Sequence, residues 1–428
     1  MYRRILHYLV CAATLPLGLS GADFMKPYDG PVVSGVDTSS LTGKVMVGYQ
    51  GWFNCEGDGA DLGWTHWSRD RNKTFGPGNV TVDLWPDVSE YEPEELYETG
   101  FKFENGSSAK VFSSHNQKTV LRHFAWMREY GIDGAFVQRF ANGLKDASKK
   151  SHKNAVLSHA RNGANLHGRA YAVMYDLSGL PKGGTQVVKK DWLKLREEMQ
   201  ITKDPGYLHH GGKPVVSVWG IGFLDGGKPR AYTLEECHAL VQFLKENGCT
   251  VMLGVPTGWR TLDRDCTPDP LMHDIIRMAD VVSPWTPGRY RDVEGVRKHG
   301  ATYWTPDQAW CSRNDLDYLP VVFPGFSWHN LKGAQLNAIP RLKGQFLWSQ
   351  FIQAKRVGAE MVYVAMFDEV DEGTAIFKCT NEPPTGNGGT FLTYEGLPSD
   401  YYLKLTGAGG ELLRNEIPLT EEIPNVID

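Results

Sequence analysis

Asp368, Glu369, Asp371 and Glu372 place four carboxylates within five consecutive positions, directly after the apolar run Met361 to Phe367. Like charges packed this tightly repel one another, so at least one carboxyl should keep its proton above the ordinary carboxylate range, as a general acid near neutral pH requires. Glu369 and Glu372 would point to opposite faces of a strand but share one side of a turn, and Gly373 lets the backbone turn there. One protonated and one ionised carboxyl across a bond is the demand of glycoside cleavage. Taken alone, the stretch also reads as a solvated acidic turn or a calcium loop, and the rest of the chain has to separate these readings.

The apolar run reads as a strand covered on both faces, and the carboxylates follow where parallel α/β folds place their chemistry, just past a strand's C-terminal end. Seven more strand patterns precede it: Val45 to Phe53, Gly134 to Gln138, Ala170 to Asp176, Pro214 to Trp219, Thr250 to Val255, Val281 to Trp285 and Leu319 to Phe323. Helical patterns fall between them at Gln117 to Glu129, Lys153 to Leu166, Lys189 to Gln200, Leu234 to Asn247, Leu271 to Met278, Val293 to His299 and Gln345 to Val357. Eight strand and helix alternations predict an α/β fold of the (β/α)8 TIM barrel type over residues 23–380, in preference to a doubly wound sheet. A long Gly-, Asp- and Trp-containing loop follows strand 1, and residues 381–428 read as a short C-terminal extension packed on the barrel.

Residues 1–22 run from Met1-Tyr-Arg-Arg4 through an apolar stretch to small residues at Ser20, Gly21 and Ala22, the order of a secretory signal peptide. A secreted or periplasmic protein without stable membrane insertion is expected. The formal charge of -5 gives no basic footprint for nucleic acid. Cys55, Cys237, Cys249, Cys266, Cys311 and Cys379 follow that leader, an even number that permits disulfides. Neither a CxxC zinc pattern nor GxSxG, HExxH or GxxxxGK[ST] occurs, against zinc, serine-hydrolase and P-loop chemistry. Asp263, Asp265 and Asp269 lack the Gly and distal Glu of a calcium loop. No metal and no cofactor is expected.

In such a barrel the C-terminal mouth collects Tyr49, Trp52 and Phe53, then Gln138, Arg139, Tyr175 and Asp176, and from later strands Trp219, Trp259, Trp285, Arg289, Phe326, Trp328 and His329. Indole faces beside carboxylates suit a sugar, whose C–H faces stack on aromatic rings while its hydroxyls bond polar groups. Any one of these Trp taken singly reads as core before platform; it is the gathering of five at one predicted end that points to a sugar site.

The chain resembles glycoside hydrolase family 99, the retaining endo-α-mannosidases and endo-α-mannanases, and the wider family 71/99-like group of exported bacterial proteins. The resemblance rests on Gly48-Tyr-Gln-Gly-Trp-Phe53, Thr65-His-Trp67, Pro324-Gly-Phe326, Arg341 with Gly344, and above all Phe367-Asp-Glu-Val-Asp-Glu-Gly-Thr374. By that match Glu369 would deprotonate the sugar's own 2-hydroxyl, giving a 1,2-anhydro sugar, and Glu372 would be the general acid/base. The match departs where the family's Asn, Trp and His are Asp368, Val370 and Asp371 here, and where its first-strand Pro is Gly51.

The expectation is thus an exported glycoside hydrolase cleaving an α-linked oligo- or polysaccharide, an α-mannan-like polymer first. Glu369 and Glu372 are its catalytic pair. Tyr49, Trp52, His66, Trp67, Trp219, Trp285, Trp328, Arg341, Asp368 and Asp371 are its candidate substrate contacts. A catalytically silent glycan-binding barrel, a hydrolase of another α-glycan, and a structural barrel closed by the loop after strand 1 are the alternatives.

Overall fold

The computed structural model describes residues 23–427, so the expected leader at 1–22 lies outside the described residues. Nine parallel strands form its main sheet: β1 (Val45–Tyr49), β2 (Gly134–Phe140), β3 (Ala170–Asp176), β4 (Lys213–Trp219), β5 (Thr250–Val255), β6 (Val281–Pro284), β7 (Asp317–Tyr318), β8 (Val321–Val322) and β9 (Val362–Val364). Their spatial order is β7-β6-β5-β4-β3-β2-β1-β9-β8. The two ends of that order are separated in the chain only by Leu319 and Pro320, so the sheet curls round on itself in a TIM-barrel-like α/β fold. His209–His210 adds a short antiparallel rung to β4.

The helices alternate with the strands: α1 (Gln117–Glu129), α2 (Ala147–His167), α3 (Gln186–Glu197), α4 (Leu234–Glu246), α5 (Leu271–Met278), α6 (Val293–His299), α7 (Thr305–Arg313) and α8 (Gln345–Arg356). Two expectations need correction. Of the strand expected at Leu319 to Phe323 only Val321–Val322 forms, with a separate short strand, Asp317–Tyr318, just before it, because Pro320 has no N–H to donate to a ladder. Leu319 N donates to Val282 O at 2.9 Å on one side, and Pro320 O accepts from Tyr363 N at 3.0 Å on the other. The helix expected to stop at His299 instead runs on through a π-helical stretch, Gly300–Trp304, into α7. Gly300 and Pro306 obscured that continuation in the sequence; a Cβ at Gly300 would sit 2.4 Å from Gln353.

Between β1 and α1 the long loop builds an aromatic subcore under a hairpin formed by Leu96–Lys102 and Ser108–Phe112. Trp67 packs on Phe53 at 4.5 Å, and Phe75 stacks on Trp85 at 5.5 Å with ring planes 14° apart. The chain after Cys379 reaches this subcore: Phe391 meets the Trp85 ring edge-on at 5.2 Å, and Leu392 N donates to Asp83 O at 2.7 Å. It continues into α9 (Tyr401–Leu413), which packs on α8 and β1.

The six cysteines that the sequence left available for disulfides are all unpaired and buried. Among the described residues no helix is long and apolar enough to cross a membrane, and no three His, Cys, Asp or Glu side chains converge as a metal site. Asp265, one of the three aspartates considered for calcium, accepts the Thr257 and Gly258 amides at 3.2 and 2.9 Å and pairs with Arg289 at 2.7 Å.

Candidate active site

The segment after β9 is fastened on three sides by its backbone and by Asp368. Phe367 N donates to Gly48 O at 2.8 Å, and the Asp368 carboxylate accepts the Gln50 and Gly51 amides at 2.7 and 2.8 Å, tying the loop to the end of β1. Val370 O accepts from Asp83 N at 2.9 Å on the subcore side, and Glu372 O from Ser327 N at 2.9 Å. Gly373 turns the chain at φ +66°, and a Cβ there would meet Ser327 N at 3.0 Å. Behind the turn Arg341 donates to the carbonyls of Gly373 and Ala375 at 2.8 and 2.7 Å. Its guanidinium lies over the rings of Tyr394 at 4.9 Å and Tyr402 at 4.5 Å, an arrangement that suits a delocalised cation.

This framework sets the two glutamates in different surroundings. Glu369 is buried and accepts from Gln50 Nε2 at 2.6 Å and from Thr374 Oγ1 at 2.8 Å. Glu372 is partly open to the cavity. Burial raises both carboxyls above their ordinary range, and mutual repulsion with Asp371 beside them adds to the rise. Burial presses harder on Glu369, while its two donors favour the ionised form. We assign the shared proton to Glu372, because two donors hold the Glu369 carboxylate whereas the Trp328 indole is the one side-chain donor that lowers Glu372, and its carboxyl faces the open space. Asp368 is driven up to about 7 by burial, against the pull of its two amides.

Asp371 turns away from this pair and meets His66 Nδ1 at 3.0 Å. The imidazole in turn stacks on Trp52 at 3.8 Å with ring planes 5° apart. His66 holds this pose from the left-handed region, φ +62°, rare for a residue with a Cβ.

Glu369 and Glu372 open onto a cavity of about 540 Å³, and Trp52, Trp219, Trp285, Trp328, Gln50, Gln138 and Asp176 also line it. Asp176 is pushed up to about 6 by burial, although it accepts the Ser178 amide at 2.6 Å. Arg230 lies over both Trp219 and Phe223 at 5.0 Å and pairs with Asp225 at 3.0 Å. Arg289 reaches the rim, held by Asp265.

The sequence-predicted residues therefore divide. Glu369, Glu372, Trp52, Trp219, Trp285 and Trp328 share the cavity. His66 lines a second cavity across Trp52. Asp368 and Asp371 are buried supports. Tyr49 and Trp67, expected as sugar contacts, do not line it. Side chains alternate along β1, so Gln50 faces the cavity while Tyr49 faces the helix layer and its OH meets His123 Nδ1 at 2.9 Å. Trp67 is core of the loop subcore, and Arg341 lies behind the loop as its clamp. At the mouth, Arg139 likewise turns outward to Asp191 at 2.7 Å, and Trp259 is core. Sequence reasoning missed Gln50, Phe140, Phe223, Asp225 and Arg230. The Gly226-Gly227 turn after β4, where strand-end loops carry function, was the available signal for the last three.

The class this geometry defines is a TIM-barrel-like α/β protein with a paired-carboxyl cavity at the C-terminal ends of its strands. No family model matches the sequence, and no curated protein matches it. Among solved structures the chain is similar to the GH99 endo-α-mannosidase from Bacteroides thetaiotaomicron, with a TM-score of 0.63 and 14% identity over 88% of this chain and 99% of that one. The same enzyme in complex with BIS-TRIS-propane gives a TM-score of 0.62 at 15% identity, over 88% of this chain and 98% of that one. A structure described as a glycoside hydrolase-like protein gives 0.54 at 14% identity, over 91% of this chain and 99% of that one.

Proposed function

We propose that the protein is an exported glycoside hydrolase that cleaves an α-linked glycan with retention, with Glu372 as general acid/base and Glu369 as the base acting on the sugar's 2-hydroxyl. The observation that carries this reading is the unequal pair: two carboxyls three residues apart, one buried with two hydrogen-bond donors and one partly open and turned to an indole-lined cavity. The fold shared with a GH99 endo-α-mannosidase supports an α-mannan-type polymer as the first substrate to test.

In the first step Glu369 takes the 2-hydroxyl proton, O2 attacks C1, the glycosidic C1–O bond breaks, and Glu372 gives its proton to the leaving oxygen. The product is a 1,2-anhydro sugar. In the second step Glu372 removes a proton from water, that oxygen attacks C1, the C1–O2 bond opens, and Glu369 returns its proton to O2. Each glutamate ends as it began. The shared proton supplies the acid at the start without a low external pH.

Incubation with a panel of α-mannans and α-glucans, beside the Glu372→Gln variant, tests the reading by product analysis. New saccharides from the wild type alone are expected. Equal release by a folded Glu372→Gln protein would remove the assignment of the acid, and no release from any α-glycan would remove the proposed activity.

A further inference from the structure

A second cavity of about 350 Å³ lies on the other side of Trp52 and Phe140, whose rings form the wall it shares with the glutamate cavity. The ring centroids of that wall are 5.2 Å apart. Its charge is opposite. Arg71, Lys149 and Lys153 line it, and among the described residues no Asp or Glu does. None of these three cations forms an ion pair among the described residues, although Arg122, Arg139, Arg260, Arg289, Lys245 and Lys378 elsewhere each meet a carboxylate.

Lys153 is the informative member. It is half-buried on α2, with its ammonium 5.8 Å from the centre of the Phe140 ring. Burial, then the nearby charges of Arg139 and Lys149, pull its pKa down to about 8, and the distant carboxylates Asp176 and Asp191 restore only part. A cation held among cations in partial burial lacks its counterion. Thr65, Asn54 and Asn142 add neutral polar atoms to the same wall.

We propose that this cavity binds an oxyanion substituent carried by the sugar next to the cleaved one, so that the substrate is an anionic α-glycan. The chemistry shared by the candidate groups is a compact oxyanion, a sulfate ester or a uronate carboxylate. Trp52 serves both cavities: one sugar stacks on the glutamate side, and its neighbour's charged group passes over the ring edge to Lys153, Arg71 and Lys149. This inference rests on the proposed glycosidase reading of the first cavity.

The test uses three forms of one polymer: α-mannan, its chemically O-sulfated form and its C6-oxidised uronate form. Binding is measured to the full-length Glu372→Gln protein, which holds substrate without turning it over. At least one charged form should bind about tenfold more tightly than the neutral one, the weight of one charge-assisted hydrogen bond. That preference should shrink with added salt. Whichever form shows it identifies the substituent. Adding Lys153→Gln should abolish the preference. Arg71→Gln and Lys149→Gln, at exposed positions that leave packing intact, should each reduce it. The chain is itself net negative, so a general attraction for polyanions does not produce the same result. Equal binding of all three forms, or a preference untouched by the Arg71 and Lys149 variants, would overturn the inference. Hydrolysis is read separately: Lys153-dependent binding with no wild-type products leaves the anion site standing and the glycosidase reading fallen, whereas cleavage of neutral α-mannan with no charge preference does the reverse.

Discussion

On one side of Trp52 and Phe140 the wall carries Asp176, Glu369 and Glu372, with Asp225 paired to Arg230 and Arg289 held by Asp265 at the rim; on the other it carries Arg71, Lys149 and Lys153 with no carboxylate partner among the described residues. Both sides crowd like charges, but the means of relief differ. Carboxyls can shed their repulsion by keeping a proton at neutral pH, and the donors on Glu369 then decide which of the two gives it up. Arginine cannot lose its charge, and Lys153, at about 8, is still mostly cationic at pH 7. On the proposed reading the acidic cavity therefore passes a proton, and the basic one receives charge from a ligand.

The contrast breaks most sharply at the acid. Glu372→Gln should lower turnover by about a thousandfold or more, equivalent to about 4 kcal/mol of barrier, with circular dichroism unchanged. A steady-state assay that found wild-type turnover would dissolve the distinction between the two sides. The alkaline limb of the wild-type kcat/KM profile should lie well above the ordinary carboxylate range, because Glu372 is raised, and the variant should lose that limb.

Arg341→Lys tests whether the reactive loop depends on its support. A lysine cannot serve two carbonyls and lie flat against two rings, so kcat should fall by about ten- to a hundredfold with KM little moved, as expected for a positioning residue. A change in KM alone would instead argue for direct contact with substrate.

Trp52→Ala removes the wall that the cavities share. Binding of the neutral and the charged polymer should both weaken, by about 1 to 2 kcal/mol in titration calorimetry, whereas Lys153→Gln should affect only the charged form. If Trp52→Ala weakened one polymer alone, the cavities would not form one continuous site.

The smallest effect is on stability. A carboxyl whose folded pKa is raised holds a proton that the unfolded chain has already released, so it lowers stability progressively as pH rises above the unfolded value and through the folded one. Glu372 is such a group. In thermal melts Glu372→Gln should gain on the wild type by a few degrees as pH goes from about 5 to about 8. A constant difference across that range would mean that Glu372 ionises as freely in the folded chain as in the unfolded one.

The alternation of strands and helices was legible because buried parallel strands leave continuous apolar runs; β3, β5 and α5 occupy the residues that periodicity alone assigned. The acidic loop was legible because charge begins where burial should end. What the sequence hid was direction. Tyr49 and Gln50 are neighbours, and only the register of β1 against β2 and β9 decides which of them faces the cavity. Gly48 belongs to the same problem: a Cβ there would strike the Tyr363 hydroxyl at 2.0 Å, so its reason is a side chain more than 300 positions away. Arg341 misled for a related reason, since a motif match gives position along the chain but not the side of the loop from which the guanidinium approaches. The basic cavity was invisible because Arg71, Lys149 and Lys153 are brought together only by packing of the long loop on the end of α2.

The two rings that flank Arg341 come from Tyr394 and Tyr402, downstream of the loop that carries Glu369 and Glu372. During synthesis the glutamates therefore leave the ribosome before the residues that seat them. A nascent chain, or one nicked in the exposed turn at Asn387 and Gly388, would own its reactive groups without a fixed geometry for them. Catalytic competence would arrive only once the last helix docks, a built-in delay between making the chain and arming it.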